Sequence, residues 1–285
     1  MLLGAKNLSA QYEAQFILEL PAVYEGPLST VYRAQDVLLG RTVGIKEVDL
    51  NKLSRQEKNT LQSEINVWCD YASRSPYLPQ IYSVIPEKSK YYIVMQWLEG
   101  KTLRRLIDEG NLSFAQKLQY AVELCEALAP IHKKRRQHRD LKPENIQITD
   151  DGKLYLIDFN ISAAVPHAGI GTDGYLAPEC CGISQQSGAS RVDVYAIGVI
   201  LYELFTDCIP IFGLDYACDM QDTDWQMFIT PSEKLPELPA QLDSIIAKCM
   251  ALQWKNRYPD AGAIARELKN LNRTLHNRGG KKHAP

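Results

Sequence analysis

The sequence has an odd number of cysteines, seven, and no C-x-x-C pair among Cys69, Cys125, Cys180, Cys181, Cys208, Cys218 and Cys249. That pattern indicates neither a disulfide framework nor a zinc site, and it predicts reduced, mostly buried thiols. Charge of one sign is lacking as well. Lys and Arg number 32 against 34 Asp and Glu, a formal net charge of -2, so the overall balance offers nothing to a polyanion and no nucleic-acid partner is expected. Long apolar runs are missing too: the longest, "VYAIGVILYELF" from Val194 to Phe205, carries Glu203 and is shorter than the ~20 residues needed to cross a bilayer. The start of the chain has no signal-peptide pattern, so we expect a cytoplasmic protein with no membrane span in this chain. Neither repeats nor low-complexity segments occur.

What is present is ordinary globular composition, 45% hydrophobic and 23% charged over 285 residues, enough for one large domain or two lobes. From Phe16 to Tyr92 the pattern is strand-rich, with "FILEL", "STVYRAQD", "RTVGIKEVD" and "KYYIVMQW" as strands. One helix interrupts them, opened by Ser54 and Glu57 at capping-box spacing and carrying Leu61, Ile65, Trp68 and Ala72 on one face. Beyond "WLEGKT" helices take over. The first has Ser113 and Gln116 at capping-box spacing and a stripe of Leu118, Val122, Cys125 and Leu128. Strand-like "NIQIT" and "KLYLIDF" follow, then helices over 191–205, 240–251 and 260–275.

The string "HRDLKPEN", His138 to Asn145, carries the most information. It resembles the catalytic loop of the eukaryotic-like (Hanks-type) serine/threonine protein kinases, with weaker hints of a bacterial member. "IDFN" (157–160), "VGIK" (43–46), "GTDGYLAPE" (171–179) and "WKNRYPDA" (254–261) stand where that family has its other signatures. The resemblance covers 12–275 and implies an α+β, bilobal protein-kinase-like fold. It would have an N-terminal extension at 1–11, a small mainly β N-lobe with one helix at 12–97, a larger mainly α C-lobe at 98–275, and a flexible polar tail at 276–285.

The same resemblance implies site residues. Asp140 would meet the proton of the substrate hydroxyl, Lys142 would neutralise the transferring phosphoryl group, and Asn145 and Asp158 would hold metal ions, Mg2+ or Mn2+. Lys46 would bind the α- and β-phosphates of ATP with Glu64 as its partner, and Thr172 would bridge Asp140 and Lys142. Met95 would be the gatekeeper, the backbone of Gln96 and Leu98 would bond adenine, and Val23, Val31, Gly44 and Gln147 would surround its faces. Asp193 would bond backbone near the catalytic loop, and Arg257 would pair with Glu179. These residue types suit phosphoryl transfer, which is catalysed chiefly by positioning and by charge stabilisation.

One signature is degenerate. Aligned on Val31, the family's glycine-rich lid reads Y-E-G-P-L-S-T-V, so that Gly26 alone of three glycines is kept. Tyr24 and Ser29 should stiffen the lid, and Pro27 has no N–H for a phosphate. The expected activity is transfer of the ATP γ-phosphoryl group to Ser or Thr of a protein substrate, with a pseudokinase-type binding protein as the alternative reading. A small-molecule kinase is disfavoured by "GTDGYLAPE", and the oligomeric state is left open.

Overall fold

The computed structural model describes residues 15–87, 89–157, 174–181, 190–210 and 229–280. The chain divides into two compact units, Met1–Gly100 and Lys101–Pro285, close to the expected change of character near Gln96 to Lys101.

The described part of the first unit is a twisted antiparallel sheet with one helix. Its strands are β1 (Phe16–Leu18), β2 (Tyr24–Glu25), β3 (Ser29–Asp36), β4 (Arg41–Asp49), β5 (Ile81–Glu87) and β6 (Lys90–Gln96). They pair in the order β1-β3-β4-β6-β5, with β2 folded back on β3. β3 and β4 coincide with "STVYRAQD" and "RTVGIKEVD" residue for residue. β5 was not expected, because Pro86 interrupts its pattern. It lies at the sheet edge, where a missing backbone donor is tolerated, and it carries a register shift between Ile81 and Ser83.

Alternation along the strands brings Phe16, Ala34, Val43, Ile45, Ile85, Tyr92 and Val94 into one buried cluster. Helix α1 (Arg55–Ala72) starts at Ser54, whose side chain accepts from the Glu57 N–H while the Glu57 carboxylate accepts from the Ser54 N–H. Its four expected core residues, Leu61, Ile65, Trp68 and Ala72, are all buried. Each large one contributes roughly 1.5–3 kcal/mol by leaving water.

The second unit is mainly helical. Strand β7 (Gly100–Thr102) lies at the boundary and leads into α2 (Leu103–Glu109), after which come α3 (Phe114–Lys133), β8 (Ile146–Thr149) and β9 (Leu154–Leu156). The remaining described helices are α4 (Pro178–Cys181), α5 (Arg191–Thr206), α6 (Pro231–Lys234), α7 (Ala240–Cys249) and α8 (Ala261–Gly280). Ser113 caps α3 in the expected box with Gln116. The α3 stripe differs from expectation: Leu118, Cys125 and Leu128 are buried, whereas Val122 is only half-buried and Ala121 and Leu124 take the interior positions beside them.

Helix α5 is buried from Val192 to Thr206, as an apolar helix at the centre of a bundle must be. Gly198 lets α7 approach it, since a methyl there would sit 2.6 Å from Met250 Cγ and 2.7 Å from Cys249 Cβ. Helix α8 packs on α3 and runs to Gly280, further than the expected end at Leu275. Of the five cysteines described as free, Cys125 and Cys249 are buried while Cys69, Cys180 and Cys208 are half-buried, so the thiols are less uniformly interior than composition implied. Among the described residues, no helix is long and apolar enough to cross a membrane.

Candidate active site

The catalytic-loop string lies between α3 and β8 and is held from below by one carboxylate. Asp193, in the first turn of α5, is 1% exposed, and its Oδ2 accepts from the His138 N–H at 2.7 Å and its Oδ1 from the Arg139 N–H at 2.9 Å. Arg139 has a positive φ of 69°, a conformation disfavoured for a residue with a side chain. These two bonds stabilise that turn.

His132, near the end of α3, completes the arrangement. Its Nδ1 accepts from the Ala261 N–H at 3.1 Å, which leaves Nε2 to carry the hydrogen and donate it to Asp193 Oδ2 at 2.9 Å. The backbone role of Asp193 was legible in the sequence; that of His132 had no local signal.

Burial alone would raise the Asp193 pKa, but the hydrogen bond from His132 and the backbone bond from His138 outweigh it and hold the carboxyl below the usual carboxylate range. Such a group stabilises the fold fully above its unfolded pKa of about 3.9, and that stability is lost as pH falls through the lower folded value. Urea midpoints measured from about pH 6 downward should therefore drop below about pH 4. A folded Asp193→Asn variant should show a shallower drop; an identical acid profile would remove Asp193 as its source.

Above this anchor the loop gathers three of the expected residues. Asn145, buried in the short 3-10 turn Pro143–Asn145, donates from Nδ2 to the Asp140 carbonyl at 2.8 Å and to Asp140 Oδ2 at 3.0 Å. Lys142 Nζ stands 3.6 Å from the same Oδ2, with both side chains about a fifth exposed at 23% and 19%. One oxygen of Asp140 is thus held by an amide and an ammonium. Asn145 thus engages Asp140 through its nitrogen, and its amide oxygen is a hard ligand of the type suited to Mg2+ or Mn2+. Among the described residues, no group of three His, Cys, Asp or Glu could hold a metal. The expected second ligand, Asp158, lies outside the described residues, as do Phe159, Asn160 and Thr172.

The segment 174–181 is tied to the same unit. The Arg104 guanidinium reaches Glu203 Oε1 (2.8 Å), Tyr175 Oη (2.7 Å) and Glu144 Oε1 (3.0 Å), and Tyr175 Oη also donates to Glu203 Oε2. Burial and the Glu203 carboxylate push the Tyr175 phenol well above its ordinary pKa. Arg257 forks onto Glu179, Nη1 to Oε1 at 2.7 Å and Nη2 to Oε2 at 2.8 Å, the pairing expected from the sequence. Asp140, Leu141, Tyr175 and Leu176 line a small cavity together with Arg139, Val192, Asp193 and Ala196.

Within the first unit, strand register places the expected nucleotide residues. Lys46 is buried and lies between Val31 on β3 and Ile93 on β6. Gly44 lies opposite Met95, and a methyl there would meet Met95 Cγ at 3.4 Å and Trp97 Cε3 at 3.6 Å, ordinary contact distances. Val23 donates its N–H to the Val31 carbonyl at 2.8 Å. The Gln96 N–H is taken by the Gln80 carbonyl at 2.8 Å, so a bond from Gln96 to a base must use its carbonyl. Leu98 is half-buried past the end of β6. Glu64 is on α1, one residue before buried Ile65, and its side chain lies outside the described residues. In the second unit, Gln147 pairs with Tyr155 across β8 and β9.

Comparison with known proteins follows the same lines. Residues 20–269 match the family described as protein kinase domain. A probable serine/threonine-protein kinase of Clostridium acetobutylicum is 31% identical over 258 residues, covering 86% of this chain and 38% of that protein. Serine/threonine-protein kinase PknL of Mycobacterium tuberculosis is 31% identical over 274 residues, 92% of this chain and 67% of PknL. Serine/threonine-protein kinase PrkC of Bacillus subtilis is 31% identical over 287 residues, 94% of this chain and 41% of PrkC. The chain therefore spans less than half the length of the Clostridium and Bacillus relatives.

Proposed function

The chain belongs to the protein kinase family, alongside bacterial serine/threonine kinases, and from that membership we propose that it transfers the γ-phosphoryl group of ATP to Ser or Thr hydroxyls of protein substrates. The observation that carries this reading is the arrangement of Asp140, Lys142 and Asn145 on one backbone turn fixed by Asp193. Asp140 orients the acceptor hydroxyl and takes up its proton. Lys142, within ion-pair range of that carboxylate, places positive charge where the phosphoryl oxygens gather charge in the transition state.

Asn145 and Asp158 would hold Mg2+ or Mn2+, which would supply charge neutralisation on the phosphates. Lys46 holds the α- and β-phosphates, with Glu64 as its partner, and Thr172 steadies Asp140 and Lys142. Val23, Val31, Gly44, Met95, Gln96, Leu98 and Gln147 form the adenine contacts. The cytoplasm, as the compartment that holds ATP and keeps thiols reduced, completes the proposal.

The test is intact mass after incubation with ATP and magnesium, together with transfer to a Ser/Thr peptide library. Phosphate on the chain or on peptides is expected; binding of ATP with no transfer to either would replace this reading with that of a binding protein.

The adenine contacts give a second expected outcome. Gly44 forgoes a methyl contact that the structure has room for, and Gln147 places an amide where the family has an aliphatic face. Gly44→Ala with Gln147→Leu should lower the dissociation constant for ATP by roughly 3- to 30-fold, on the scale of tenfold per 1.4 kcal/mol. Titration of the double variant checks it, and equal or weaker binding would show that Gln147 supports the nucleotide.

A further inference from the structure

The lid of the first unit holds its shape without the glycines it lacks. Its turn is closed by the Gly26 N–H on the Ser29 carbonyl at 2.9 Å, and the Leu28 carbonyl accepts from the Asp49 N–H at 3.2 Å. The Tyr24 ring lies over Gly26, where a methyl would sit 2.5 Å from Oη and 2.8 Å from two ring carbons. At the tip, the Pro27 carbonyl accepts from Lys52 Nζ at 2.6 Å. Lys52 in turn has a firm mount. It ends the 3-10 turn Leu50–Lys52, which is capped by Asp49 through the Asn51 N–H at 2.9 Å and tied by the Leu50 N–H to the Ser89 carbonyl at 2.7 Å.

This geometry leaves the lid few ways to grip a phosphate through its backbone. The Gly26 N–H is consumed within the turn, and Pro27 has none. Without its bond to Lys52 the tip would lose an anchor and could move. The Lys52 ammonium holds it and brings positive charge to the lid. Resting on the kinase reading above, we propose that Lys52 is a positioning residue for ATP. It straps the lid tip before the nucleotide arrives, supplying by preorganisation and charge what the missing glycines would have supplied by backbone freedom.

Lys52→Met keeps the stem and removes the charge; Lys52→Arg keeps the charge. In the nucleotide-free protein, hydrogen exchange over 24–31 should be faster by roughly three- to tenfold in Lys52→Met and restored by Lys52→Arg, in keeping with the loss of one hydrogen bond. The dissociation constant for ATP, and KM for ATP, should rise by a similar roughly three- to tenfold factor while kcat at saturating ATP changes by less than about twofold, the signature of lost uniform binding. Unchanged exchange, or faster exchange with ATP affinity unaltered or improved, would make the contact an exposed lysine without consequence and overturn the proposal. Exchange needs no activity, so normal transfer with an unaltered Lys52→Met protein sinks the strap alone, and a wild-type protein that binds no ATP sinks the kinase reading with it.

Discussion

Asp140→Asn should lower phosphoryl transfer by at least about 100-fold and leave the fold intact, because under the proposed function it removes the carboxylate that would act on the reacting proton in the transition state. The substitution is nearly isosteric. Asn145 can still donate to the Asp140 carbonyl, and Asp193 still holds the neighbouring amides, so the loop keeps its course. What changes is the charge beside Lys142, whose Nζ would then face a neutral amide. Initial rates on a peptide substrate, with ATP titration and thermal unfolding as controls, check the outcome. Since an interaction made only in the transition state lowers kcat without moving substrate affinity, ATP binding should stay within about threefold. Near-normal turnover in a folded variant would falsify the role given to Asp140.

The second large effect is on stability. The Arg257 side chain is fully buried and spends all its donors: two on Glu179, one from Nε on the Ala251 carbonyl (2.8 Å), one from Nη1 on the Arg191 carbonyl (3.0 Å) and one from Nη2 on the Leu252 carbonyl (3.2 Å). Its guanidinium also lies 4.9 Å from the centre of the Tyr195 ring. Replacing it with Met leaves the Glu179 carboxylate, 7% exposed, without its cation and leaves three backbone carbonyls short of a donor. Breaking such a pair from one side costs about 3–5 kcal/mol, a large share of the roughly 5–15 kcal/mol that holds a domain folded. Chemical denaturation should show that loss, and Glu179→Gln with Arg257→Met should recover part of it by removing the stranded charge. A midpoint within error of wild type in Arg257→Met would mean that the pair contributes nothing to folding.

The sequence exposed those parts of the fold whose causes are local. The boxes at Ser54 and Ser113 fixed two helix starts, and alternation fixed β3 and β4 to the residue, because each signal is written in side chains a few positions apart. β5 escaped because Pro86 argues against a strand unless the strand is known to lie at an edge, which is a property of the sheet. Val122 was misplaced for a related reason: α3 packs against α8, β9 and α5, and the side they bury is centred on Ala121, Leu124, Cys125 and Leu128, which leaves Val122 beyond its margin.

At the site, Asp140, Asn145 and Lys142 were legible as a motif. The pairing of Arg257 with Glu179 was too, although 78 positions separate them. His132 and Lys52 were not. Each is an ordinary residue at the end of an ordinary element, and its role comes from a backbone atom, Ala261 N–H for one and Pro27 carbonyl for the other, that no side-chain pattern reports.

The outer strand β5 has a bearing on what happens while the chain is being made. An open sheet edge offers unpaired donors and acceptors to any other extended chain, and crowded nascent polypeptides are a ready source of them. Here the edge has an irregular register at Ile81 and Ser83, a proline that withholds a donor, and Glu87 at its end. A stray strand aligning there would meet a broken ladder and a negative charge. The feature that hid β5 from pattern reading thus also makes this edge a poor template for another strand, and Pro86→Thr, by restoring a backbone donor, should raise the tendency to aggregate.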